Sequence, residues 1–244
     1  MSARPTAVVV AGPGTNRDRD LVLALELAGA DATIALTTEL ESRPELLDKA
    51  QLLAVAGGFS YGDALGAGRM LALDLTTGDA PGASALQRFV DSGKPVIGIC
   101  NGFQALTRAG VLPGALGHNA HGQFECRWVQ IEPEPVSACV WTDGLTHAIH
   151  CPIAHGEGRY VHPDPDALAA AGQVALRYRS TNPNGSLADI AGVCNPAGNV
   201  LGLMPHPENF VVPRQHPHHT SGADHTDHLG LHLFRNGVNA AREF

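Results

Sequence analysis

The sequence predicts an α/β fold: an open, mostly parallel sheet with helices on both faces, plus a smaller antiparallel β portion. Three observations carry that expectation. Short apolar runs rich in β-formers, TAVVVA (6–11), ATIAL (32–36), LLAVAGG (52–58) and PVIGIC (95–100), recur through the first hundred residues. Helix-like segments separate them, which is the pattern of strands buried on both faces and joined by crossover helices. Glycine-rich stretches, Gly12-Pro13-Gly14, Gly57-Gly58 and the segment from Gly98 to Gly102, then fall at the carboxyl ends of the runs, where such a sheet binds its ligand.

Taken in order, the first run leads into an amphipathic stretch over Asp18–Ala28, the second into a helix-like ESRPELLDKA, and the third into two further helical stretches. The fourth ends in GICNG and enters a helix directly. After Gly117 the texture changes to strand-like pieces, QFECRWVQIEP and QVALRYRS, the turn Asn182-Pro183-Asn184-Gly185, and IAGVCNPAGNVLGLM with a reversal at Asn195-Pro196-Ala197-Gly198-Asn199. A final amphipathic helix is expected over 227–242. The 244 residues are expected to form one domain, 1–244, with a His/Pro-rich loop at about 213–226.

Composition excludes several function classes. A formal charge of −8 with only 16 scattered Lys and Arg is wrong for a nucleic-acid or anionic-membrane surface. The five cysteines are odd in number, far apart and never in C-x-x-C spacing, so neither a disulfide framework nor a zinc knuckle is expected. No apolar run approaches a signal-peptide core or a membrane span, and a cytoplasmic protein is expected. His216, His218, His219, His225, His228 and His232 lie in or near the His/Pro-rich stretch, but without firm ligand spacing. No metal site is expected there.

Cys100 is the residue that asks for chemistry. A strand ending in G-x-C-x-G and running into a helix is the thiol counterpart of the G-x-S-x-G nucleophile elbow, in which small residues permit a sharp turn and the helix N-terminus favours a thiolate. The alternative is an ordinary buried cysteine at a strand end. A thiol nucleophile needs a base and the base an orienting group. GLMPHPENF offers His206 and Glu208; flanking prolines predict an extended segment, on which side chains two apart point the same way.

With these residues the chain resembles the class I glutamine amidotransferases. GGFSYGD (57–63), AHGEGR (154–159), NPNGS (182–186) and GLMPHPE (202–208) make it similar, within them, to the glutaminase subunits of phosphoribosylformylglycinamidine synthases. That resemblance implies a Cys100-His206-Glu208 triad hydrolysing glutamine through a thioester. It implies an oxyanion held by the N–H of Asn101 and that of Gly58 or Phe59, Gln104 lining the glutamine pocket, and His155, Gly156 and Glu157 holding the amino-acid end. It further implies a separate ATP-dependent synthetase partner and a small bridging subunit. The sequence has no G-x-x-x-x-G-K-[ST] loop, so no cofactor is expected in this chain, with ATP and Mg on the partner. One departure is Arg17, where the family commonly has Cys. Other readings are a different class I amidotransferase component, or an inactive regulatory relative.

Overall fold

The computed structural model describes residues 3–77, 84–221 and 226–244. The first unit is strand β1 (Thr6–Ala11), helix α1 (Asp18–Ala28) and strand β2 (Asp31–Leu36). Helices α2 (Thr37–Ser42) and α3 (Glu45–Lys49) then lead to β3 (Leu52–Val55), and α4 (Arg69–Thr76) and α5 (Ala85–Asp91) to β4 (Val96–Ile99). Helix α6 (Asn101–Arg108) follows β4 across one residue. The second half carries β5 (Ala115–Gly117), β6 (Glu125–Pro133), β7 (Ile149–His155), β8 (Arg159–Val161), α7 (Pro165–Ala170), β9 (Val174–Tyr178), β10 (Ile190–Cys194), β11 (Val200–Leu203) and α8 (Leu231–Ala241).

Among the described residues, nine strands form one sheet in the order β2-β1-β3-β4-β11-β10-β9-β6-β7. The first five run parallel, and each later neighbour is antiparallel to the one before. The antiparallel portion is therefore continuous with the parallel one, because β11 returns beside β4 and its hairpin partner β10 extends the same ladder. Strands β5 and β8 make a separate small sheet.

β3 and β4 are buried at every residue, as strands covered on both faces must be. Helix α1 packs with α8, while α2, α4, α5 and α6 form a second group. Right-handed crossovers put the two groups on opposite faces. Burial of Leu21, Leu25, Leu53, Ile97, Phe103 and Phe234 joins the layers. Each such side chain contributes about 1.5–3 kcal/mol.

Two expected elements differ. ESRPELLDKA is split, because Pro44 disfavours helical backbone at Arg43, which adopts φ −137° and ψ 63° between α2 and α3. The last helix begins at Leu231, not 227. Gly230 donates its N–H to Phe210 O at 2.8 Å and lies flush on the Pro207 carbonyl, so the chain is pinned there before the helix can start. His225, part of the expected His/Pro-rich loop, lies outside the described residues. Among the described residues no helix is long and apolar enough to cross a membrane.

Candidate active site

Strand β4 ends at Ile99 and α6 begins at Asn101, so Cys100 alone turns the chain. It does so at φ 52° and ψ −104°, a conformation costing a non-glycine residue on the order of 1–3 kcal/mol. The turn is held by Cys100 N–H donating to Leu203 O at 2.8 Å. The flanking glycines are explained by contact. A Cβ on Gly98 would stand 2.6 Å from Leu106 Cδ1 and 2.8 Å from the Gly102 carbonyl carbon, and one on Gly102 would collide with Val55 O. Only glycine lets α6 lie this close to β3 and β4. The thiol, 4% exposed, is delivered at the N-terminus of α6.

His206 and Glu208 follow β11. His206 Nδ1 and Glu208 Oε1 are 2.7 Å apart, and both residues are buried. The route differs from the extended segment expected from the prolines: Pro207–Asn209 forms a single 3₁₀ turn. Pro207 sits at its first position, where a missing N–H is harmless, and the turn rather than strand alternation brings the carboxylate back to the imidazole. His206 N–H donates to Pro152 O at 2.9 Å, tying the turn to β7. A Cβ on Gly57 would lie 2.8 Å from His206 Cε1 and 3.5 Å from Cys100 Cβ, so a bare backbone forms the wall of the dyad. Burial pulls the His206 pKa down, but the Glu208 carboxylate and Cys100, both also hydrogen-bonded to the ring, prevail and raise it to about 10. The imidazole therefore carries its proton at neutral pH, between two acidic partners.

The loop after β3 supplies the oxyanion candidates. Phe59 N–H already donates to Gly14 O at 3.1 Å, whereas Gly58 N–H has no partner among the described residues. Of the two alternatives, only Gly58 thus keeps its N–H untaken among the described residues, while Asn101 N–H lies in the first turn of α6. The loop is gripped by the 12–17 segment: Tyr61 N–H donates to Pro13 O at 2.6 Å and Arg17 N–H to Gly57 O at 3.2 Å. Arg17 joins this grip through its backbone N–H, which any residue other than proline supplies.

A relay of amides links this loop to the far half of the sheet. Asn101 accepts from Ser60 N–H at 3.2 Å and donates to Gln104 Oε1 at 3.0 Å. Gln104 Nε2 donates in turn to Glu157 O at 2.6 Å. Both ends of the Gln104 amide are thereby engaged by protein groups. The Glu157 carboxylate accepts from Ala67 N–H at 3.3 Å and stands 3.8 Å from Arg108. Gly156 is half-buried beside Phe124, whose ring pairs with that of Phe59 at 6.2 Å on the exposed rim.

His155 is buried and points Nδ1 at Asn119 Oδ1, 3.1 Å away. Burial first, then the charge of His206, lowers its pKa to about 4.

Sequence reasoning missed three groups. Asn119 holds His155 and Gly158; Asn184 and Ser186 hold the Gly158 carbonyl, at 2.8 and 3.5 Å. Asp63 donates nothing but accepts from Asn101 at 3.3 Å, and burial and then Glu157 push its pKa up. NPNGS was visible as a turn and as a motif of the family resemblance, but with no role for its side chains. Of the histidines near the tail, His216 packs against Trp128 and Phe210, and His150 stacks on His228 with centroids 4.2 Å apart. Among the described residues no group of three or more His, Cys, Asp or Glu is placed to hold a metal ion.

Comparison with known proteins follows the same lines. Residues 4–240 match the model of the CobB/CobQ-like glutamine amidotransferase domain. A phosphoribosylformylglycinamidine synthase subunit PurQ from Treponema denticola is 43% identical, with 97% of this chain and 98% of the relative covered. The structure of PurLQS from Thermotoga maritima contains a chain 37% identical, superposing with a TM-score of 0.77 over 97% of this chain and 98% of that one. A glutamine amidotransferase from Thermotoga maritima, 16% identical with a TM-score of 0.56 over 100% of both chains, shares the fold. Nucleophile elbow, glycine-walled dyad and near full-length likeness agree: the chain belongs to the CobB/CobQ-like glutamine amidotransferase family and, within it, to the PurQ subunits of phosphoribosylformylglycinamidine synthase.

Proposed function

We infer that this chain hydrolyses glutamine to glutamate and ammonia through a thioester on Cys100, and supplies the ammonia to a separate ATP-dependent synthetase subunit. That subunit converts formylglycinamide ribonucleotide to formylglycinamidine ribonucleotide. The observation carrying the reading is the strained Cys100 at the N-terminus of α6, with His206 between it and Glu208.

The Cys100 thiolate attacks the amide carbon of glutamine. The developing oxyanion is received by Gly58 and Asn101 N–H, which are strongest where water is excluded. Collapse breaks the C–N bond, and His206 gives its proton to the leaving nitrogen, forming ammonia. Neutral His206 then takes a proton from water, whose oxygen attacks the thioester; cleavage of the C–S bond releases glutamate and returns the thiolate. Glu208 orients the imidazole and stabilises its cation without itself taking the proton. Loop residues 155–157 receive the amino-acid end of glutamine. No step needs a metal or cofactor in this chain; ATP and Mg belong to the partner. A small third subunit bridges the two, and the complex works in the cytoplasm.

Cys100→Ala tests this in the complex reconstituted with the synthetase. Glutamine-dependent synthesis should vanish while synthesis from added ammonia persists, since only thioester chemistry is removed. Retention of glutamine-dependent turnover would overturn the assignment. An inactive regulatory subunit would show no glutamine hydrolysis even in the wild-type complex.

A further inference from the structure

Asn119, in the connection between β5 and β6, is 2% exposed and makes four hydrogen bonds. Its Nδ2 donates to Gln123 O at 2.8 Å and His155 O at 2.9 Å. Its Oδ1 accepts from Gly158 N–H at 3.0 Å and meets His155 Nδ1 at 3.1 Å. Carbonyls only accept, so the NH₂ group must face the first pair and the oxygen the second. An amide oxygen also only accepts, so a neutral His155 carries its proton on Nδ1 and a lone pair on Nε2.

That Nε2 is buried and has no partner among the described residues. Buried polar atoms left open beside a catalytic centre ask for a donor that arrives with the ligand. Burial, the cation of His206 and, more weakly, His121 keep His155 neutral at pH 7. The other charged neighbours are Glu125, opposite His155 in the β6–β7 ladder and paired with Arg127 and His121, and Glu157 two residues on. Glutamine has two N–H-bearing groups. The amide nitrogen must leave toward His206, which leaves the α-ammonium for His155.

We propose that Asn119 is a positioning residue for glutamine capture: by locking His155 as the Nδ1–H tautomer, it holds Nε2 as an acceptor for the α-ammonium of the substrate. This rests on the glutaminase reading above. A cationic His155 would present a proton to a cation and reject the substrate.

Long-range ¹H–¹⁵N correlation spectra of the full chain labelled with ¹⁵N-histidine, with His155 identified by its loss in His155→Gln, should show a bare Nε2 and a protonated Nδ1 at pH 7. A proton on Nε2 overturns the proposal. In the reconstituted complex, wild-type KM for glutamine should be flat between about pH 6 and 8, because His155 titrates below that range. Asn119→Asp places a carboxylate that favours the imidazolium. KM should rise about tenfold, the size of a lost charge-assisted hydrogen bond. It should recover as pH is raised, with kcat nearly unchanged. An unchanged KM, or a loss confined to kcat, overturns the role of Asn119. If Asn119→Asp does not fold, the wild-type spectrum and KM profile still decide. A wild-type complex that never hydrolyses glutamine would sink the glutaminase reading instead, leaving the tautomer result standing.

Discussion

The parallel and antiparallel halves of the sheet do different work. The parallel half, β2-β1-β3-β4-β11, brings Cys100, the Gly57-Gly58 turn and the His206-Glu208 turn to the carboxyl ends of adjacent strands. Its precision comes from backbone: glycines at 57, 98 and 102 remove the side chains that would hold helix, strand and imidazole apart. The antiparallel half meets this centre with side chains, Asn119, His155, Asn184 and Ser186, clamped in a buried polar network around Gly158. The groups proposed to make and break bonds thus stand on the part built by crossover helices, and the groups proposed to read the substrate on the part built by hairpins. Changes in the first should lower kcat, and changes in the second should raise KM.

Glu208→Gln is the most severe way to test that division. Removing the carboxylate deprives His206 of both its orientation and its largest favourable charge contact, so kcat should fall by about 10³–10⁴ with little change in KM. Steady-state glutaminase kinetics in the complex measure it, and a pure KM effect would move Glu208 to the substrate-reading side.

On the other half, Asn184→Ala removes the 2.8 Å bond to Gly158 O and the 3.2 Å bond to the Tyr178 hydroxyl from a residue with no exposure. Leaving buried groups unpaired should cost about 1–3 kcal/mol of stability. Loop 155–158 should loosen, with KM for glutamine rising several-fold and kcat held. Equal KM with reduced kcat would erase the distinction between the halves.

The two halves also differ in the sign of their pH dependence. His155 is depressed from 6.5 to about 4, so its contribution to stability is complete above about pH 6.5 and is lost as pH falls through about 4. His206 is raised from 6.5 to about 10, so its contribution is complete below about pH 6.5 and disappears as pH rises through about 10. Urea unfolding across this range should show an acid limb that flattens in His155→Gln and an alkaline limb that does not. An acid limb unaltered by that substitution would show that other groups govern it.

The sequence by itself determined what local spacing can encode. The apolar runs become β1 to β4, the amphipathic stretch after Arg17 becomes α1 at the expected bounds, and the glycines around Cys100 announce an elbow because a tight strand-to-helix turn has few other solutions. Tertiary structure decided what depends on residues distant in the chain. Asn119 meets His155 36 residues away and Gly158 39 away, and Asn184 reaches back 26 residues to Gly158. No local period marks such partners, since an asparagine in a turn looks the same whether it faces solvent or a buried imidazole. Folding also settled two details the motifs left open. The Phe59 N–H is taken by Gly14, leaving the Gly58 N–H without a partner among the described residues, and a 3₁₀ turn rather than an extended strand closes Glu208 onto His206. Both were decided by where backbone donors and acceptors found partners, which the buried interior must satisfy and a sequence motif does not specify.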